Sequence, residues 1–251
     1  MHILFKQQLL DREKLVGTLL TLPAPELAEI AADAGFDWLF LDMEHGLLDS
    51  LAVQRIAQAV GERCPCVVRV PANEETWIKK ALDAGVAGLI FPHLNTRAEA
   101  ERVIRMSLFS PEGERSISIA RASRFGMKIE EYLVEANRNT SFIAQVEHID
   151  AVRNIDEIIA VPGIDAVLVG PYDLSASLKK PGQLGDAEVL EAVAKVQESC
   201  DAQGVPAGIF AGDTASAERA FKAGFSFVCV ATDITLFSRA AAQTVRDLKS
   251  C

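Results

Sequence analysis

IAADAGFDWLFLD, residues 30–42, decides the fold. A helical stretch runs into Ala-Gly, and an apolar, β-compatible run follows. The phrase returns as IKKALDAGVAGLIFP (78–92) and ERAFKAGFSFVCVA (218–231). In each copy Gly35, Gly85 or Gly224 falls where a helix stops and the chain needs positive φ. This is the helix-to-strand half of a repeating βα unit.

Working outward, the helical halves keep the helical period. Val53, Ile56, Ala57 and Val60 recur at i, i+3, i+4, i+7 within 50–61, and Val189, Val193, Val196 and Cys200 share one face of 186–203. The strand halves are VGTLLTL (16–22), DWLFLD, CVVRV (66–70), GLIFP, SFIAQVE (141–147), DAVLVG (165–170), VPAGIF (205–210) and FVCVA (227–231). They do not alternate cleanly, as expected of parallel strands covered on both faces. Eight strands, each followed by a helical segment, predict a (β/α)8 TIM barrel that uses nearly all of 1–251 as one domain. A doubly wound sheet is the structural alternative, but no Gly-x-Gly-x-x-Gly follows the first strand. One segment breaks the rhythm, the Ser-, Gly- and Arg-rich loop 107–128 with Arg115, Arg121 and Arg124.

Composition narrows the function classes. The 251 residues are 49% hydrophobic, too apolar for a disordered chain. The net charge of −10 and the lack of a basic run argue against nucleic acid and anionic membranes. No stretch has signal-peptide or membrane-span character, so a cytoplasmic protein is expected. The cysteines at 64, 66, 200, 229 and 251 are scattered and read as small buried hydrophobes. His2 reads as part of a frayed terminus.

In a barrel, chemistry gathers at the C-terminal ends of the strands. There the sequence places Glu44 and His45 after DWLFLD, Arg69 in CVVRV, Gln145 and Glu147 in SFIAQVE, and Tyr172 and Asp173 after DAVLVG. Gln145 and Glu147 are two apart on a strand and face the same way. Glu147 with Asp173 suits Mg2+ or Mn2+ rather than structural zinc. An arginine and a histidine beside such a cation suit enolate chemistry. Carboxylates at strand ends also serve as helix caps, and that reading stays open for both. His93 is a candidate for the mouth of the site, His148 for a helix start, and Trp38 and Trp77 for packing.

LDMEHG, RVP, LDAGVAGLIFP, ARASRFG and the run from Gln145 to Ser177 resemble the HpcH/HpaI family of metal-dependent pyruvate aldolases. GxDxxxxGPxDLSxSL is the most specific part, and the resemblance covers roughly residues 15–235. It implies a barrel of the phosphoenolpyruvate/pyruvate type. It implies Glu147 and Asp173 as metal ligands, with Co2+ as a further candidate ion, and Gln145 as a substrate contact. It implies Arg69 on the keto oxygen, His45 as base and Asp83 as the acid that raises its basicity. Tyr172 and Asp173 would hold the pyruvate carboxylate through their amides. Asp42, three residues before His45, is a second candidate partner.

The resemblance further implies class II cleavage of a 4-hydroxy-2-oxo acid to pyruvate and an aldehyde. It implies a homo-hexamer whose C-terminal helix, 233–249, is exchanged between subunits. Two departures stand out. Glu114-Arg115-Ser116-Ile117 lacks a glycine that relatives tend to carry after the arginine, and Ala231 replaces a common glycine. An acyl-CoA lyase of the citryl/malyl type and a non-catalytic anion-binding barrel remain the alternatives.

Overall fold

Eight parallel strands close on themselves in sequence order. They are β1 (Leu15–Leu20), β2 (Trp38–Asp42), β3 (Cys66–Arg69), β4 (Gly88–Phe91), β5 (Ser141–Val146), β6 (Ala166–Val169), β7 (Ala207–Ala211) and β8 (Phe227–Thr232). Each matches a run expected from the sequence, and the closed barrel excludes the doubly wound sheet. The computed structural model describes residues 3–250. His2 and Cys251 lie outside the described residues.

The helices between strands end as the repeated phrase requires. Gly35, Gly85 and Gly224 take φ of 93°, 75° and 100° just past helices Pro25–Asp33, Glu75–Asp83 and Thr214–Lys222. A side chain is disfavoured in that conformation, so the helix stops and the chain turns into the next strand. In helix Ser50–Val60 the expected face, Val53, Ile56, Ala57 and Val60, is buried.

Strands apolar on both faces divide their residues between two cores. Leu39 and Leu41 of β2 belong to the layer between sheet and helices. Trp38 and Phe40 point into the barrel with Leu19, Val67, Ile90, Ile143, Leu168 and Phe227. Two glycines make room for the largest rings. A Cβ on Gly17 would lie 2.4 Å from the Trp38 indole, and one on Gly208 would lie 2.4 Å from the Phe227 ring.

The first helix, Ile3–Leu10, is not foreshadowed by the repeat. Its Phe5 and Leu9 join the interior cluster. Lys6 Nζ reaches Thr140 O and Asp165 Oδ2, each at 2.9 Å, just ahead of β5 and β6. The helix therefore plugs the rim where the strands begin. The other rim stays open. Period-two alternation turns Asp42, Arg69, Gln145 and Glu147 to the same side as Phe40, Val67 and Ile143, so they crown the interior there.

The loop 107–128 is tied to the plugged rim. Arg121 donates to Ala84 O (2.7 Å), Gly85 O (3.2 Å) and Ala57 O (3.0 Å), closing the ends of the two helices that precede β3 and β4. Within one chain this loop does not shape the open end of the barrel.

Candidate active site

Arg69 is the centre of the open rim. It is 6% exposed at the end of β3, beside Asp42 at the end of β2. Its Nε donates to Asp42 Oδ1 at 2.9 Å and its Nη2 to Asp42 Oδ2 at 2.7 Å. Its Nη1 lies 3.0 Å from Glu44 Oε2, and the guanidinium sits over the Phe40 ring. Burial alone would lower the arginine pKa. The Asp42 hydrogen bonds and the charges of Asp42, Glu44 and Glu147 outweigh it, so the pKa is raised. A guanidinium has five N–H groups, so this fork leaves Nη1 and Nη2 each with an N–H for a substrate oxygen.

Asp42 therefore orients Arg69 and not the His45 ring. Its Oδ1 also accepts from the main-chain N–H of Glu44 (3.0 Å) and His45 (3.3 Å), fixing the turn after β2. The His45 side chain is 69% exposed, and its nearest carboxylate is Glu44 Oε2, 3.9 Å from Nε2.

Glu147 is the second buried anchor, one residue past β5. Its Oε1 accepts from the His93 main-chain N–H at 2.9 Å and lies 3.2 Å from His93 Nδ1. Its Oε2 accepts from Gln145 Nε2. Burial pushes its pKa up, against the His93 N–H and imidazole. The Glu44 charge pushes it up further, and Arg69 pulls it down. Gly170, after β6, gives it space, since a Cβ there would lie 3.1 Å from the Glu147 Cβ.

Tyr172 and Asp173 follow Gly170 in the short helix Pro171–Ser177, and both are exposed. Their N–H groups belong to the first turn, which has no acceptor inside the helix. The Tyr172 ring packs edge-on to Phe210, with centroids 6.2 Å apart. Neither Glu147 nor Asp173 caps a helix. Gly170 is the N-cap before Pro171, and His148 caps Ile149–Arg153 by accepting from Asp150 N.

Asp83 is not brought to this rim. It ends helix Glu75–Asp83, at the strand-start side. Its Oδ1 is 2.9 Å from Arg115 Nη2, and its Oδ2 accepts from Ser118 Oγ at 2.6 Å. No His45–Asp83 pair forms within one chain, because a helix that follows β3 delivers its last residue to the opposite end.

Two residues that the sequence placed near the rim without a role gain partners. Glu44 links Arg69 to His93, whose Nε2 is 3.4 Å from Glu44 Oε1. His93, with φ of 52°, bridges Glu44 and Glu147. The available signal was position, since each lies two residues past a strand end. Left-handed φ on histidine cannot be read from FPHLNT.

The oxygens present suit a hard divalent cation. Glu147 supplies a buried carboxylate, and beside it Gln145 Oε1 is buried without a partner. Among the described residues, no group of three or more His, Cys, Asp or Glu converges as a cage. An ion held here would keep positions for water and substrate.

Known proteins resemble this chain over nearly its whole length. The family model described as HpcH/HpaI aldolase/citrate lyase matches residues 16–240. A hydroxypyruvate/pyruvate aldolase of Paraburkholderia phytofirmans is 37% identical, over 98% of this chain and 97% of its own. A 5-keto-4-deoxy-D-glucarate aldolase of Escherichia coli is 36% identical, over 97% of this chain and 95% of its own. The crystal structure of an HpcH/HpaI aldolase/citrate lyase family protein from Burkholderia cenocepacia J2315 superposes with a TM-score of 0.94 at 39% identity, covering 98% of each chain. These relatives are carbon–carbon lyases, and the chain belongs to the HpcH/HpaI aldolase/citrate lyase family.

Proposed function

We propose that the chain is a class II pyruvate aldolase. Its substrates would be 4-hydroxy-2-oxo acids, such as 4-hydroxy-2-oxoheptanedioate or a 2-keto-3-deoxy sugar acid. The observation that carries this is the cluster of buried Arg69, Glu147 and Gln145 with the partly buried Glu44 at the open strand ends. Several carboxylates around one arginine at the strand ends suit a site where negative charge develops on a substrate oxygen.

Glu147 and Asp173 would hold Mg2+, Mn2+ or Co2+. When bound, the ion supplies positive charge against the carboxylate and keto oxygens of the substrate. Arg69 donates to the keto oxygen. The amides of Tyr172 and Asp173 take the carboxylate, and Gln145 contacts the bound acid. His45 accepts the C4 hydroxyl proton, and the C3–C4 bond breaks. Its electrons move to the keto oxygen as the pyruvate enolate, and the aldehyde leaves. Protonation at C3 then gives pyruvate. The exposed His45 ring suits transfer through water.

Asp83 can assist His45 only from a second copy of the chain. The apolar surface near it supports such an interface, since Ile117, Ile119 and Phe125 are exposed. So does helix Asp233–Lys249, which exposes Ile234, Leu236, Phe237, Val245 and Leu248. We take the assembly to be a hexamer with that helix exchanged. Mixing His45→Ala with Asp83→Asn subunits should restore turnover that neither has alone. The buried thiols at 64, 66, 200 and 229 suit a reducing cytoplasm. Among the described residues no helix is long and apolar enough to cross a membrane.

The decisive experiment follows the methyl protons of pyruvate in D2O by NMR, with Mn2+ and then with chelator. Metal-dependent exchange is expected. Absence of exchange with every divalent ion would end the aldolase reading.

A further inference from the structure

The peptide joining Pro92 to His93 is held at both of its polar atoms. Pro92 O accepts from Asn73 Nδ2 at 2.6 Å, and the His93 N–H donates to Glu147 Oε1 at 2.9 Å. Asn73 comes from the segment after β3, Pro92 and His93 from the segment after β4, and Glu147 from the end of β5. One peptide therefore links three neighbouring strand ends across the open rim.

The backbone pays for this orientation. His93 has φ of 52°, in the left-handed region that residues with a Cβ disfavour. That angle sets the peptide plane relative to the chain that follows. Strain of this kind persists where the surroundings over-determine it. The two hydrogen bonds do so here. On the other side of the carboxylate, Gln145 Nε2 donates to Glu147 Oε2.

We propose that Asn73 and His93 are positioning residues for Glu147, acting through the Pro92–His93 peptide. The N–H of that peptide fixes one carboxylate oxygen, Gln145 fixes the other, and Glu147 meets a divalent cation in one orientation. The inference rests on the reading of Glu147 as a metal ligand. It concerns the main chain, so what matters at 93 is tolerance of positive φ, not the imidazole.

The test is Mn2+ affinity, read from the EPR signal of the free ion, on the purified enzyme and four variants. Glu147→Gln probes the underlying reading and should lose binding. His93→Val opposes the left-handed backbone and should weaken Mn2+ roughly 10- to 100-fold, the range seen when the partners of metal ligands are removed. Asn73→Ala frees Pro92 O without touching position 93 and should weaken it about tenfold. His93→Gly keeps the N–H and the φ, and should bind within about threefold of the parent.

Parent-like binding by Asn73→Ala and His93→Val, with Glu147→Gln defective, would overturn the proposal. Equal loss in His93→Gly and His93→Val would overturn it too, by assigning the effect to the ring. Parent-like binding by Glu147→Gln would remove the metal-ligand reading and this inference with it. If His93→Val does not fold, Asn73→Ala together with His93→Gly still decides.

Discussion

Each rim of the barrel buries one arginine against an aspartate, and the two sites differ in what else surrounds the guanidinium. At the open rim Arg69 is 6% exposed, forks onto Asp42, and meets Glu44. At the plugged rim Arg115 is 5% exposed and makes one contact with Asp83, 2.9 Å from Nη2. Its guanidinium also lies by the rings of Phe109 and Tyr132, with centroids 4.4 and 5.6 Å away, and its Nε has no partner. Arg115 is a fastener that holds a loop by packing and one ion pair. Arg69 stands in an excess of negative charge with N–H groups to spare, which is the arrangement of a group that receives a substrate anion. Burial and charge pairing alone do not separate structural from functional arginines. The surplus of carboxylates does.

Four substitutions test that distinction, beginning with the largest effect. Arg69→Lys keeps the charge and loses the fork. Deuterium exchange into pyruvate should slow on the order of 10²-fold, the cost of losing one oxyanion donor. Near-parental exchange in the Arg69→Lys variant would place Arg69 with Arg115 as a fastener. Arg115→Met should do the reverse. Removing one partner of a buried pair costs roughly 3–5 kcal/mol, but here about 2 kcal/mol is expected, because water reaches the 27% exposed Asp83 side chain. Urea denaturation should report that loss, while exchange per folded chain falls less than about tenfold.

The third substitution concerns backbone strain at the open rim. Ala231, near the end of β8, has φ of 57° and is buried. Ala231→Gly should stabilise the fold by up to about 1 kcal/mol, or roughly 2–4 °C in Tm. An unchanged or lower Tm would show that the alanine methyl contributes more by packing than it costs by strain.

The smallest effect is at the plugged rim. Asp165 pairs with Lys6, but burial pushes its pKa above the usual carboxylate value, outweighing Lys6 and the Phe142 N–H. A raised acid favours the folded state most when protonated. Its contribution is therefore full below the ordinary aspartate pKa and is lost as pH rises through the raised value. Asp165→Asn should flatten that part of the stability–pH curve in urea titrations run upward from the ordinary aspartate range. An identical slope in the variant would mean that Lys6 fully offsets the burial.

The barrel was legible because its signals are local. Gly35, Gly85 and Gly224 carry the helix stops in their own residue type, and the face of Ser50–Val60 is visible as a period. The positions of Arg69, Gln145 and Glu147 at one rim follow from strand direction and parity. Asp83 shows where such reasoning ends. The motif around it is clear, yet its place at the end of a helix sends it to the far rim of its own barrel. His93 shows the opposite case, since a weak sequence signal turned out to touch both Glu44 and Glu147. The glycine expected where Ala231 stands is also accounted for, because the φ at that position is one that glycine adopts freely.

The sequence by itself determined the eight βα units, the rim that bears the chemistry, and the residue types gathered there. Periodicity and helix-stop glycines act over a few residues and leave their mark in any single chain. Only the tertiary structure decided which carboxylate serves which cation. Asp42 takes Arg69, Glu44 stands between Arg69 and His93, and Asp83 goes to Arg115. Those choices depend on distances between strand ends and on how far each side chain is removed from water. Neither quantity exists until the barrel closes.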